Sequence, residues 1–186
     1  YATCQKYGLR LFIDGARLGY GLVSGACDYD LPFLAKHCDV FYIGGTKVGA
    51  MMGEAVVFSG MKAPKYFFTN VKRHGALLAK GRMLGIQFDT LFTDELYFKI
   101  SRHAIATATR IRSIFEKHGI TIAYDSPTNQ QFVVLSPALY EALSQKVAFE
   151  IWERKSEHEI ICRFVTSWAT KEEELDELDR ILQAYA

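Results

Sequence analysis

Proline and cysteine are scarce in this 186-residue chain, with 4 of each. The sequence also lacks a long hydrophobic run, an excess of charge of either sign, and an initiator Met at its start. Each absence removes a class of protein. Few prolines alongside 49% hydrophobic and 13% aromatic residues exclude disorder, which needs low hydrophobicity and high net charge. Cys4, Cys27, Cys38 and Cys162 form no Cys-x-x-Cys pair and have no regular spacing, so reduced thiols in a cytoplasmic protein are expected. The longest apolar runs, such as residues 55–58 and 132–135, fall far short of the ~20 residues that span a bilayer. No membrane segment and no basic-plus-apolar signal peptide is expected. The 22 Lys and Arg are interspersed with 21 Asp and Glu, for a formal net charge of +1. That balance argues against nucleic acid, whose phosphates need a basic face.

What remains is a globular chain able to bury roughly 70% of its unfolded surface. Residues 9–13, apolar except for Arg10, read as a buried strand that delivers Asp14 to its carboxyl end. Loop chemistry is expected next, because Gly15, Gly19, Gly21 and Gly25 fall close together. A short helix follows, with Asp30 near its N-terminus and Pro32 in its first turn. Residues 39–43 and 54–59 read as strands, and residues 65–93 as mostly helical. From Leu96 to His118, Ile100, Ala104, Ala108, Ile111 and Phe115 step by three or four, the stripe of a long amphipathic helix stopped by Gly119. Strands are then expected at 120–124 and 131–135, and a helix at 138–147 with Ser136 as N-cap and Pro137 at N1. Residues 149–152 and 160–168 flank a polar stretch as a hairpin. Thr170-Lys171-Glu172-Glu173 reads as a capping box for a last helix burying Leu175, Leu178, Leu182 and Tyr185. The opening residues, closed by Gly8, read as the end of a helix.

Two stretches carry chemistry: Asp14-Gly15-Ala16-Arg17, and Thr46-Lys47 after Gly44-Gly45. A P-loop needs G-x-x-x-x-G-K-[ST], and Lys47 sits between Thr46 and Val48, so that motif fails. In an open α/β sheet, ligands collect at the carboxyl ends of the strands, and Asp14 and Lys47 both lie just past strand ends. A carboxylate, a guanidinium three residues on and an amine at a neighbouring strand end suit pyridoxal 5′-phosphate (PLP). That cofactor needs a Lys for its Schiff base and an acid opposite its pyridine nitrogen. The five histidines have no i, i+4 partner that suggests zinc, and Asp28-Tyr29-Asp30 lacks the Gly and Glu of a calcium loop. No metal is expected.

Phe12-Ile13-Asp14-Gly15-Ala16-Arg17-Leu18 resembles the signature of the low-specificity threonine aldolases, in the β-eliminating lyase branch of the fold-type-I PLP enzymes. Lys47 follows Asp14 by 33 residues, similar to that family's Schiff-base lysine, and Arg163-Phe164-Val165-Thr166-Ser167-Trp168 resembles its closing strand. The resemblance implies that Lys47 is the catalytic Schiff-base lysine and that Asp14 keeps the pyridine nitrogen protonated. It implies that Arg17 contributes to the cofactor site and, with Arg163, clamps the amino-acid carboxylate. On the strand, Arg163 is expected on the face opposite Cys162, Phe164 and Trp168. The reaction implied is aldol cleavage of L-threonine or a related β-hydroxy-α-amino acid to glycine and an aldehyde. Another fold-type-I enzyme, either a β-eliminating lyase or an aminotransferase, would share Asp14 and Lys47. A non-catalytic domain would keep the fold without the cofactor.

The expected fold is α/β: residues 1–90 as the C-terminal part of a PLP-transferase large domain of aspartate-aminotransferase type, 91–118 as a linking helix, and 119–186 as a small α+β domain. Where the family has Gly-Gly-Gly-Met-Arg-Gln, with an Arg for the cofactor phosphate, this chain has Arg82-Met83-Leu84-Gly85-Ile86-Gln87. The family's phosphate-cradling turn, ring-stacking residue and catalytic His precede the Asp signature. The 186 residues alone are therefore expected to bind PLP poorly and to be inactive, and the whole enzyme to be a homodimer or homotetramer.

Overall fold

Asp39, fully buried, fixes the start of the first sheet. Its carboxylate accepts the Leu11 N–H at 2.9 Å and an Arg10 Nη1–H at 2.9 Å, and these bonds, the Leu11 one foremost, hold it below the usual carboxylate range. The Asp39 and Val40 N–H groups both donate to the Leu11 carbonyl. This side-chain clamp occupies the backbone of residue 11, so the ladder is shorter than expected: β1 is only Phe12–Ile13. The computed structural model describes residues 1–185, which divide into two units. The first comprises Tyr1–Leu22 and Cys27–Lys99, the second Val23–Ala26 and the chain from Ile100 onward.

In the first unit, α1 (Ala2–Lys6) precedes β1, with Gly8 at φ +63° after the helix, as expected of its C′ residue. The glycine-rich stretch expected as loop instead winds α2 (Leu18–Leu22). Its helical turn survives two poor helix formers because Tyr20 is buried and the Gly19 N–H donates to the Tyr97 hydroxyl at 3.1 Å. Next comes α3 (Leu31–Lys36), capped by Asp30, whose Oδ1 accepts the Phe33 N–H at 2.8 Å. β2 (Val40–Gly44) pairs parallel with β1 and antiparallel with β3 (Glu54–Phe58). The helical expectation for residues 65–93 resolves into α4 (Phe67–Arg73) and α5 (Arg82–Phe92). α6 (Leu96–Lys117) begins in this unit and continues in the second.

In the second unit the α6 stripe of Ala104, Ala108, Ile111 and Phe115 is buried, and Gly119 at φ +70° ends the run. β4 (Ile122–Tyr124), β5 (Gln130–Leu135), β6 (Glu150–Arg154) and β7 (Ile160–Val165) form an antiparallel sheet in the order β4-β5-β7-β6, with α7 (Pro137–Ser144) between β5 and β6. β5 alternates half-buried and buried residues. Its inner face joins Ile114, Phe115, Cys162, Phe164 and α8 (Glu172–Gln183) in one core. Burial there pushes the Cys162 thiol up to about 11.

Three local expectations are corrected. The carboxylate that takes the α8 N-terminal N–H is Glu174, which accepts from Lys171 at 3.0 Å, while the Thr170 hydroxyl accepts from Ser167 instead. Tyr185 is exposed, and Ile181 fills the stripe, because Ile181 falls at i+3 from Leu178. β7 ends at Val165, leaving Trp168 exposed beyond the pairing. Among the described residues, no helix is long and apolar enough to cross a membrane.

Candidate active site

Because β1 and β2 run parallel, the turn after β1 and the loop after β2 leave the same edge of the sheet. Asp14 lies on the first and Lys47 on the second. The two backbones touch at glycines. A Cβ on Gly15 would stand 1.8 Å from the Tyr42 carbonyl oxygen, and one on Gly44 would stand 2.4 Å from the Ala16 carbonyl oxygen. The Gly44 N–H donates to Gly15 at 2.9 Å across the same contact. Only glycine permits this approach, which is the physical content of Asp-Gly and Gly-Gly here.

Asp14 Oδ1 accepts the Ala16 N–H at 3.0 Å and also accepts from the Tyr42 hydroxyl. The Tyr42 bond, then the Ala16 bond and the nearby Lys47 charge, hold the carboxyl below its ordinary range. Conversely, the Tyr42 hydroxyl is pushed up to about 12 by the carboxylate it serves. Arg17 is half-buried, and its Nε is buried without a partner.

The Lys47 side chain is exposed while its backbone is pinned. The Tyr20 hydroxyl donates to the Lys47 carbonyl, and Val48 beside it is fully buried. Glu54 on β3 accepts from the Gly45 N–H and the Thr46 hydroxyl. Beyond the lysine, the Gln87 amide accepts from Met51 N–H at 2.7 Å and donates to the Met52 carbonyl at 3.2 Å. Gln87 therefore braces the loop that carries the lysine. Tyr97, fully buried, donates to the Gly44 carbonyl at 2.9 Å, and burial raises its pKa.

Asp14, Arg17 and Lys47 thus all belong to the first unit, while Arg163 belongs to the second. On β7, Cys162 and Phe164 are buried while Arg163 leaves the other face, although Ile161 on that face is buried too. The guanidinium pairs with Glu150, its cross-strand neighbour on β6. It also donates to Gln130 Oε1 at 3.0 Å and lies 5.2 Å from the Trp152 ring centroid, with Nε buried and unpaired.

Sequence reasoning missed Tyr42, Tyr20, Glu54 and Gln87. For Tyr42 a signal existed: Ile13 pairs with Phe41, so the next residues, Asp14 and Tyr42, lie abreast. That signal appears only once the parallel register is known.

An amine, a carboxylate with one oxygen already held, and a guanidinium with a buried unpaired Nε form a donor set that fits PLP. Among the described residues, no group of three or more His, Cys, Asp or Glu could hold a metal ion.

Comparison with known proteins follows the same lines. No protein-family model matches the chain. A low-specificity L-threonine aldolase from Pseudomonas sp. is 29% identical over 184 residues, which is 98% of this chain and 52% of that protein. The solved threonine aldolase of Leishmania major is 36% identical with a TM-score of 0.94, covering 99% of this chain and 54% of that one. Serine palmitoyltransferase from S. paucimobilis, solved with a bound PLP–myriocin aldimine, shares the fold at 13% identity and a TM-score of 0.65, covering 98% of this chain and 48% of that one. The resemblance to threonine aldolases therefore runs through nearly the whole chain, and the α/β fold is that of the corresponding part of these proteins. The chain spans about half the length of the relatives it matches.

Proposed function

Starting from a chain that resembles threonine aldolases from end to end, we propose that the full-length protein is a PLP-dependent lyase. It cleaves L-threonine or a related β-hydroxy-α-amino acid to glycine and an aldehyde. The observation that carries this is the pairing, on one sheet edge, of a doubly hydrogen-bonded Asp14 with an exposed Lys47 on a braced loop. Bound PLP supplies the electron sink for the charge left on Cα when the Cα–Cβ bond breaks.

The residues of this chain then divide the work. Lys47 is the catalytic amine that would hold the cofactor through its aldehyde, and its Nζ would carry a proton at the substrate Cα. Asp14, kept ionised by its two donors, holds the proton on the cofactor ring nitrogen. Arg17 and Arg163 orient the substrate carboxylate, for which a planar fork is better suited than an ammonium. In that protein, residues 1–90 belong to the cofactor-binding domain, 91–118 link, and 119–186 form the small domain. A cytoplasmic location accords with four free cysteines. The individually exposed side chains of Met51, Tyr66 and Phe68 accord with a homodimer or homotetramer that covers some of them.

Product analysis tests the reading. Full-length protein with threonine is expected to release glycine and acetaldehyde; a four-carbon keto acid would instead point to elimination or transamination. The Schiff-base absorbance is expected to vanish on borohydride reduction and to be absent in Lys47→Ala.

A further inference from the structure

Resting on that reading of the site, we propose that Tyr42 is a positioning residue: its hydroxyl fixes the Asp14 carboxylate with one oxygen engaged and the other left for the cofactor's ring nitrogen. Asp14 is exposed at a strand end, and a carboxylate there turns about a broad, two-fold torsion unless something holds it. Both of its bonds fall on one oxygen. Oδ1 accepts the Ala16 N–H and the Tyr42 O–H, while Oδ2 accepts none among the described residues. A single backbone donor leaves the group free to pivot, and the second donor removes that freedom.

Tyr42 is itself well anchored for the task. It lies on β2 between the buried Phe41 and Ile43, so its side chain leaves by the opposite face. There its ring packs on Phe12, the β1 residue two before Asp14, at 6.1 Å between centroids. Its carbonyl abuts Gly15, where no side chain fits. The tyrosine and the turn it serves are therefore one rigid unit. The same two bonds favour the ionised carboxylate, so the hydroxyl sets both orientation and charge. Its own raised pKa keeps it a donor throughout the neutral range.

The test compares PLP affinity of full-length wild type, Tyr42→Phe, Asp14→Asn and the double variant across acidic to neutral pH, followed by absorbance and cofactor fluorescence. Phe retains the ring contact with Phe12 and loses only the donor. Tyr42→Phe is expected to bind PLP about tenfold more weakly, the order of one hydrogen bond to a charged group, while keeping the Schiff-base absorbance at saturation. Affinity that depends on ionised Asp14 is present above its pKa and lost as pH falls through it. Without the tyrosine that pKa rises, so the acid-side loss is expected at higher pH than in wild type. In the Asp14→Asn background, Tyr42→Phe is expected to change nothing further.

Unchanged affinity and pH profile in Tyr42→Phe overturn the inference. So does a loss that is equal at every pH and persists in the Asp14→Asn background, because that marks a merely structural role. A wild-type protein with no Lys47-dependent PLP binding overturns the reading of the site, and this inference with it.

Discussion

The guanidinium of Arg163 is held from three directions, by Glu150, Gln130 and Trp152. Two of these holds fix the plane of the fork without consuming its charge. The third is a carboxylate, but Glu150 is 67% exposed, and an ion pair with so wet a partner is worth little. A substrate carboxylate can therefore displace it at small cost. Arg163→Lys keeps the charge but loses the planar fork, so in the full-length protein KM for the amino acid is expected to rise about tenfold or more, with a smaller change in kcat. Steady-state kinetics check this, and an unchanged KM would remove Arg163 from the substrate site. Asp39 is a residue of another kind, buried and purely structural. Its folded pKa is depressed, so its stabilisation is present above the ordinary carboxylate pKa of about 4 and lost as pH falls through the lower folded value. Asp39→Asn is expected to lower Tm at neutral pH, with the gap to wild type narrowing under acid. A gap that widens towards acid, read by thermal melts over a pH series, would contradict this origin.

Among the elements, α8 shows how far a pattern in the sequence reaches. Leu175, Leu178 and Leu182 are buried as their spacing predicts, whereas Tyr185 is 46% exposed. Leu178→Ala is accordingly expected to destabilise by about 2–5 kcal/mol, and Tyr185→Ala by under about 1 kcal/mol. Denaturant melts measure both, and equal losses would mean that the stripe is misassigned. The stripe of α6 and the cap of α3 were legible because each is written in local periodicity or local turn chemistry. α2 was not legible, because the interactions that wind it are remote: Tyr97 lies far along the chain, yet it takes the Gly19 N–H. Tyr42 escaped notice for the same reason, being set beside Asp14 by strand register. Asp14, Arg17 and Lys47 were legible because a short signature marks them. Their second layer, the hydrogen bonds from Tyr42 and Tyr20 and the braces from Glu54 and Gln87, depends on pairing that no local pattern encodes.

At the scale of the whole molecule, the chain carries the acid, the amine and the two arginines of the proposed site, yet it matches only about half the length of its relatives. Asp14 and Lys47 are exposed, and desolvation, which strengthens every charge interaction in a cofactor site, is correspondingly weak around them. Where the family motif has its phosphate-binding Arg this chain has Ile86, and the Gln87 beside it commits its amide to the Met51–Met52 backbone. A dianionic phosphate therefore gains little from that position, and on the proposed reading Lys47, Asp14 and Arg17 are what this chain brings to the cofactor. An amine in water forms Schiff bases with aldehydes only weakly and reversibly, so the 186-residue chain by itself is expected to bind PLP at least about a hundredfold more weakly than the full-length protein. That ratio corresponds to about 3 kcal/mol, the order contributed by two charge-assisted hydrogen bonds to a phosphate. Titration of both proteins with PLP, followed by borohydride trapping at Lys47, measures it. Tight, stoichiometric binding by the 186 residues would show that the cofactor site is complete within them, and that the extra length of the relatives serves some other end.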